Sequence, residues 1–327
     1  MINRRTFGKT LSVAVATSML AFAAPAQAQN NGELVYMTPG LDLAFWRYVS
    51  EGVRSVAEEN GYGFSALDST NDPQAQLQNA QDAIARGVAG IILSPTDSST
   101  APAVLQLAQD ADIPVVIADI GTDSGEFVSV IGSNNYEGAN GVGQALAAAM
   151  QDAGTAESSV GIIGISQARL NGQARTQGFL DAMADGGVTG DAGLQQMQAY
   201  TADETFRFTQ DMITANPDLG GMFVQTDGPT LGALRAIRAA RMTGDVLVAA
   251  FDGIPEFVPL LQSGDLVVSG MQQPYLMGVR SAEAMLEHLG GGTPDKEITV
   301  PILIVTSDNI DEMLPTITET VFANEIE

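Results

Sequence analysis

From residue 33 onward the chain alternates short, almost wholly apolar runs with longer amphipathic stretches. "LVYMT", "AGIIL", "PVVIA", "VGIIGI", "GMFVQ" and "VLVAAF" are the clearest of the short runs. Such a run, bounded by turn-forming residues, reads as a strand buried on both faces, as in a parallel sheet covered by helices. Strands are predicted at Leu34–Thr38, Gly63–Leu67, Ala89–Leu93, Pro114–Ala118 and Val128–Ile131. A second series follows at Val160–Ile165, Leu194–Tyr200, Gly221–Gln225, Val246–Phe251, Leu266–Ser269 and Val300–Val305. Between them the period lengthens to that of helices: Ala44–Asn60, Pro73–Arg86, Ala101–Asp110, Glu137–Gln151, Gly172–Asp185, Glu204–Ala215, Pro229–Arg241, Pro274–His288 and Asn309–Phe322. Pro73, Pro229 and Pro274 open helices and glycines close them, the usual asymmetry. Strands alternating with helices mean βαβ units, and two similar series imply two similar α/β lobes with doubly wound parallel sheets.

The first helix carries a sharper signal. Trp46, Val49, Val53 and Val56 recur at helical spacing and make one core-facing stripe. Phe45 lies about 100° round the helix from Trp46, toward the crevice at the strand ends. In doubly wound sheets ligands bind beyond the carboxyl ends of the strands. The residues placed there are Asp42, Phe45 and Trp46 after the first strand, and Asp119 after "PVVIA". In the second series they are Arg175, Tyr200, Thr226, Asp227 and Asp252, with Gln272 and Gln273 after "LVVSGM".

These groups share a character. Aromatic faces take the C–H side of a sugar or polyol, while carboxylates, a guanidinium and amides meet its hydroxyls, each of which both donates and accepts. Each residue also has a plainer reading. Asp227, just ahead of Pro229, fits a helix cap best. Asp252 fits one less well. Arg175, Tyr200 and Gln272 could be a surface arginine, a capping ring and a backbone-satisfying amide.

Composition narrows the function classes. The chain has 327 residues, 45% of them hydrophobic and 16% charged, enough for two packed domains. Its net charge of −25 repels nucleic acid and suits solubility in high salt. It has no Cys and one His, His288, so disulfides, a Ser-His-Asp triad and a His-based metal site are set aside. No cofactor is called for. "GANGVGQAL" lacks the third glycine of a dinucleotide fingerprint, and Gly8-Lys9-Thr10 follows no strand.

The N-terminus reads as an export signal. Arg4-Arg5 precede an apolar stretch from Leu11 to Ala24, and Pro25-Ala26-Gln27-Ala28 has the form of a signal-peptidase site, with cleavage after Ala28. The arginine pair, with Phe7 two positions on, resembles a twin-arginine signal. The expected address is the periplasm, and no membrane span is expected in the mature chain.

The segments "LDSTNDPQAQLQNAQDAIARGVAGIILSPTDS", "IPVVIAD", "ARTQGF", "TANPDLGGMFVQTDGPTLGALRAIRAA" and "VLVAAFDG" keep their order along the mature chain. In them the chain resembles the ribose-binding proteins, of the type I periplasmic sugar-binding family of ABC importers. The resemblance implies two Rossmann-like lobes joined by a three-segment hinge, crossing near Ser133-Asn134, Gln272-Gln273 and Pro301-Ile302. The implied division is residues 1–28 as signal peptide, 29–133 with 274–301 as the N-terminal lobe, and 134–273 with 302–327 as the C-terminal lobe. Phe45, Trp46 and Tyr200 would stack on the ligand; Asp119, Arg175, Asp252 and Gln272 would bond to it. The implied partners are a small sugar and a membrane permease, and the implied state is a monomer that closes on its ligand. Three positions depart from the family pattern. Leu43 stands where an Asn is expected, Ile120 where an Arg is, and Thr226 where an Asn is. A site without those donors should not simply hold ribopyranose, since unmatched buried hydroxyls cost about 1–3 kcal/mol each. The expectation is another pentose, a furanose form, or a tetritol or pentitol. The rivals are a receptor presenting a sugar-like signal to a sensor or chemoreceptor, and an exported enzyme. The enzyme is disfavoured because no G-x-S-x-G elbow appears.

Overall fold

The computed structural model describes residues 31–325, so the export segment and its cleavage point lie outside the described residues. The first part of the chain runs β1 (Glu33–Thr38), α1 (Ala44–Glu59), β2 (Gly63–Asp68), α2 (Pro73–Arg86), β3 (Gly90–Leu93), α3 (Ala101–Asp110), β4 (Val115–Ala118) and β5 (Val130–Gly132). It then continues as α4 (Asn135–Asp152), β6 (Ser159–Gly164), α5 (Leu170–Asp185), β7 (Gly190–Gln196), α6 (Ala202–Ala215), β8 (Leu219–Val224), α7 (Thr230–Ala239), β9 (Leu247–Phe251), α8 (Phe257–Ser263) and β10 (Val268–Met271). The last segment is α9 (Pro274–Leu289), β11 (Glu297–Thr299), β12 (Leu303–Thr306) and α10 (Ile310–Thr320).

The strands form two six-stranded sheets, ordered β11-β5-β4-β3-β1-β2 and β12-β10-β9-β8-β6-β7. Each has helices on both faces, which is why its central strands are buried throughout. These are the two doubly wound α/β lobes expected from the hydrophobic pattern. The chain passes between sheets three times: after Gly132, after Met271 and after Thr299. All pairings are parallel except β10 with β12.

Three local expectations need correction. Of the run Val300–Val305 only Leu303–Val305 is strand, in β12; β11 ends just before it at Thr299 in the other sheet, and Pro301, with no N–H to offer a ladder, lies in the crossing between them. The seventh strand ends at Gln196 rather than Tyr200, which leaves Tyr200 in a loop with a left-handed φ of 55°. The short helix α8 was not foreseen; at seven residues it offers little periodicity.

Close helix packing positions the site in both lobes. A Cβ on Gly52 of α1 would lie 2.2 Å from the Tyr275 carbonyl of α9, and one on Gly278 of α9 would lie 2.1 Å from that of Val49. In the second lobe a Cβ on Gly178 of α5 would lie 2.2 Å from the Tyr136 carbonyl of α4. The absent side chains let each pair touch backbone to backbone, which fixes α1 against α9 and α5 against α4. No helix among the described residues is long and apolar enough to cross a membrane.

Candidate ligand-binding site between the lobes

α1 begins at the carboxyl end of β1 with Leu43 at its cap position, and Leu43 has no side chain able to cap. The missing acceptor comes from the other lobe: the Phe45 N–H donates to Asp227 Oδ2 at 3.1 Å. Asp227 is therefore not the side-chain cap of its own helix, whose cap position is Pro229. Its Oδ1 accepts from the Gly228 N–H at 2.7 Å. Phe45 and Trp46 meet edge to face, with ring centroids 4.7 Å apart and planes at 84°. Both belong to the first lobe's core, and both line the cleft. At least one of the pair is expected at the crevice; both line it, because a helix start at a strand end exposes two successive positions.

Each lobe presents an aspartate one residue beyond a central strand. Asp119 follows β4 with φ 65°, and Asp252 follows β9 with φ 64°. Left-handed backbone in a residue other than glycine is strained, and such strain collects at functional sites. Asp252 is held by its own side of the cleft: Gln272 Nε2 donates to its Oδ1 at 2.8 Å and Arg175 Nη1 to its Oδ2 at 3.3 Å. Arg175 also donates to Asn135 Oδ1 at 2.8 Å and to the Gln225 carbonyl at 2.7 Å, with its guanidinium 4.1 Å from the Phe251 ring centre. Asp119 has one partner, and it lies across the cleft: Asn171 Nδ2 donates to its Oδ2 at 3.0 Å.

Arg169 is the second buried cation of the site. It leaves the second lobe at the start of α5, donates from Nε to the Thr96 carbonyl at 2.8 Å and from Nη2 to Asn71 Oδ1 at 2.8 Å, both in the first lobe. Its guanidinium lies 5.2 Å from the Tyr200 ring centre. The Tyr200 loop is held by Glu204, whose carboxylate accepts the N–H groups of Gln198, Ala199 and Tyr200 at 2.9–3.0 Å. Thr201 caps α6, its hydroxyl accepting from the Glu204 N–H at 3.2 Å, which leaves the Glu204 carboxylate to hold the preceding loop.

Between these groups is a small cleft. Phe45, Trp46 and Asp119 line it from one lobe; Arg169, Asn171, Arg175, Tyr200, Thr226 and Asp252 from the other. Three buried acceptors at or beside it, Asp119 Oδ1, Asn171 Oδ1 and Gln272 Oε1, have no hydrogen-bond donor. Burying such atoms unpaired is costly, and few native groups are left so. Burial pushes the Asp119 carboxyl up to about 6 against the pull of Arg175. Burial also raises Asp227 to about 6, with the Asp252 charge adding to it. Asp252 is raised by burial and partly restored by Arg175 and Gln272. Desolvation lowers the Arg169 guanidinium.

Of the residues placed at the strand ends from sequence, Phe45, Trp46, Asp119, Arg175, Tyr200, Thr226 and Asp252 line this cavity. Gln272 stands behind Asp252 and is fully buried. Asp42 does not reach the cavity: its side chain is exposed and lines a separate outer hollow. The turn from β1 into α1 points its first residues to solvent. Leu43 and Ile165 add apolar wall. Sequence reasoning missed Arg169, the cap residue of α5, and Asn171, in its first turn. An arginine ahead of the one already noted in "SQARLNGQAR" was the only available signal.

Fold and site together define a two-lobed α/β protein with a polar, ring-lined cleft between its lobes. Residues 34–293 match the family described as periplasmic binding protein domain. The chain belongs to the periplasmic binding protein family, which sets aside the exported-enzyme reading. It is 30% identical over 297 residues to the ribose import binding protein of Escherichia coli (strain K12), covering 91% of this chain and 98% of that one. Among solved structures it is similar to a carbohydrate transporter solute-binding protein from Agrobacterium radiobacter in complex with D-arabinose. There the TM-score is 0.80 at 24% identity, over 89% of this chain and 98% of that one. It is also similar to a Mycobacterium smegmatis protein in complex with β-D-fucofuranose, with TM-score 0.81 and 21% identity, over 89% of this chain and 96% of that one.

Proposed function

We propose that this protein is the periplasmic solute-binding component of an ABC importer and that its cargo is a small sugar or polyol. The observation that carries the reading is the set of buried acceptors without donors, Asp119 Oδ1, Asn171 Oδ1 and Gln272 Oε1, beside the Phe45 and Trp46 rings. A hydroxylated molecule supplies O–H donors to such oxygens and a C–H face to such rings. The similarity to a ribose import binding protein supports the same class. Leu43, Ile120 and Thr226, in place of polar partners, favour another pentose, a furanose, or a tetritol or pentitol over ribopyranose.

In this reading the lobes hinge at the three crossings and close on the cargo, with residues 29–133 and 274–301 moving against 134–273 and 302–327. The bonds from Phe45 to Asp227, Arg169 to Thr96 and Asn171 to Asp119 favour the closed form. The closed monomer then docks on its permease. Export through the twin-arginine route delivers it to the periplasm. Isothermal titration against a panel of pentoses, hexoses in furanose form and small polyols tests the proposal. Micromolar binding of at least one member, about −8 kcal/mol, is expected. Tightest binding of D-ribose would overturn the cargo assignment, and binding of none of the panel would overturn the class.

A further inference from the structure

A second hollow adjoins the inner cavity. It is larger than the cavity itself and opens toward solvent. Leu43, Trp46, Arg169 and Tyr200 border both, so they form the partition between the two. Both lobes build the outer hollow: Asp42, Thr70 and Asn71 from one, Gln198, Ala199 and Thr201 from the other. It therefore takes shape only as the lobes meet, like the cavity behind it.

Its chemistry continues that of the inner cavity. Trp46 and Tyr200 border both compartments. Around them the outer hollow offers two amides, Asn71 and Gln198, two hydroxyls, Thr70 and Thr201, and the Asp42 carboxylate. The one cation on its wall, Arg169, is already committed to the Thr96 carbonyl and to Asn71 Oδ1. An anionic group would meet Asp42 with no free partner, on a chain of net charge −25. Thr70, Asn71 and Tyr200 hold left-handed φ values of 48°, 56° and 55°. Strain of this kind in three wall residues is retained where a local shape is required.

We propose that the outer hollow is a second subsite and that the ligand is a neutral glycoside. One sugar ring occupies the inner cavity, and a second hydroxylated unit, a further ring or a short polyol, lies in the outer hollow beyond the Trp46–Tyr200 partition. This rests on the sugar-binding reading and extends it from a monosaccharide to a two-unit ligand.

The test is titration of the mature chain with D-ribose, D-arabinose, D-xylose and D-galactose, and with the disaccharides and glycerol glycosides of the same sugars. At least one glycoside is expected to bind tenfold or more tightly than its parent sugar. Ala199→Trp, which fills the outer hollow from an exposed position, removes that gain and leaves the parent sugar's affinity unchanged. Gln198→Ala reduces the gain by a smaller factor. A parent sugar that binds as tightly as every one of its glycosides overturns the subsite while leaving the sugar-binding reading intact. Equal weakening of parent and glycoside by Ala199→Trp also overturns it. Failure of all these probes to bind overturns the subsite, and the sugar-or-polyol reading then stands or falls on the wider panel of furanoses and polyols.

Discussion

Asp119 and Asp252 occupy equivalent places in the two lobes, one residue past a central strand, with nearly the same left-handed backbone. Their surroundings differ. Asp252 sits in a finished network, bonded to Arg175 and Gln272 from its own side, with Arg175 anchored further to Asn135 and the Gln225 carbonyl. The Asp119 carboxylate has no hydrogen-bond partner on its own lobe; its single bond comes from Asn171 across the cleft, and its Oδ1 has none. The second lobe is thus preorganised. Preorganisation lowers the ordering cost of binding, so in the proposed binding cycle the second lobe receives the ligand first, and closure and cargo complete the first lobe, whose contacts separate closed from open.

The largest test of this contrast is to break the finished network. Asp252→Ala or Arg175→Ala leaves the opposite charge buried and unpaired, at a cost of about 3–5 kcal/mol in stability. Both variants are expected to lose at least a hundredfold in affinity and to melt well below wild type. Wild-type affinity in either would break the comparison. Asp119→Ala should behave differently, since no charge on its own lobe depends on it. It removes one or two charge-assisted bonds of about 1.5–3 kcal/mol each, so titration should show a tenfold to hundredfold loss with an undiminished melting temperature. A thermal loss equal to that of Asp252→Ala would erase the distinction.

A smaller effect is expected at Asp227, which caps the helix of the opposite lobe. Removing a cap costs about 0.5–2 kcal/mol, felt only where the lobes meet. Asp227→Ala should weaken binding severalfold, through faster dissociation visible in Trp46 fluorescence. The smallest effect is in pH. Asp119 ionises near 3.8 when free and near about 6 in the folded chain. The folded state therefore binds the extra proton, and this group's contribution to stability falls as pH rises from the lower value to the upper, with the penalty complete above it. The melting-temperature difference between Asp119→Asn and wild type should grow by a few degrees across that window. A flat difference would mean that Asp119 is better solvated than its burial implies.

Much of the architecture was legible because burial on both faces makes a central strand apolar throughout. "AGIIL", "PVVIA" and "VGIIGI" each correspond to a central strand within a residue or two of the expected ends. The rule that ligands lie beyond strand ends located Asp119 and Asp252, because the residue following such a strand has few places to go. It misplaced Asp42, since a turn of several residues separates that side chain from the strand. It also passed over Arg169 and Asn171, which face the cleft only because α5 begins where it does. Local pattern likewise made Asp227 the cap of the nearer helix.

By itself the sequence determined the elements, the two-lobe class and the chemical character of the strand ends. Hydrophobic period, proline, glycine and capping residues act over a few positions, and backbone hydrogen bonding makes their effects local. Only the tertiary structure decided which groups meet. Asp227 and Phe45 are 182 residues apart, and Asn171 and Asp119 are 52 apart. No short-range pattern encodes such a contact; it follows from two independently packed lobes being brought face to face across three crossings.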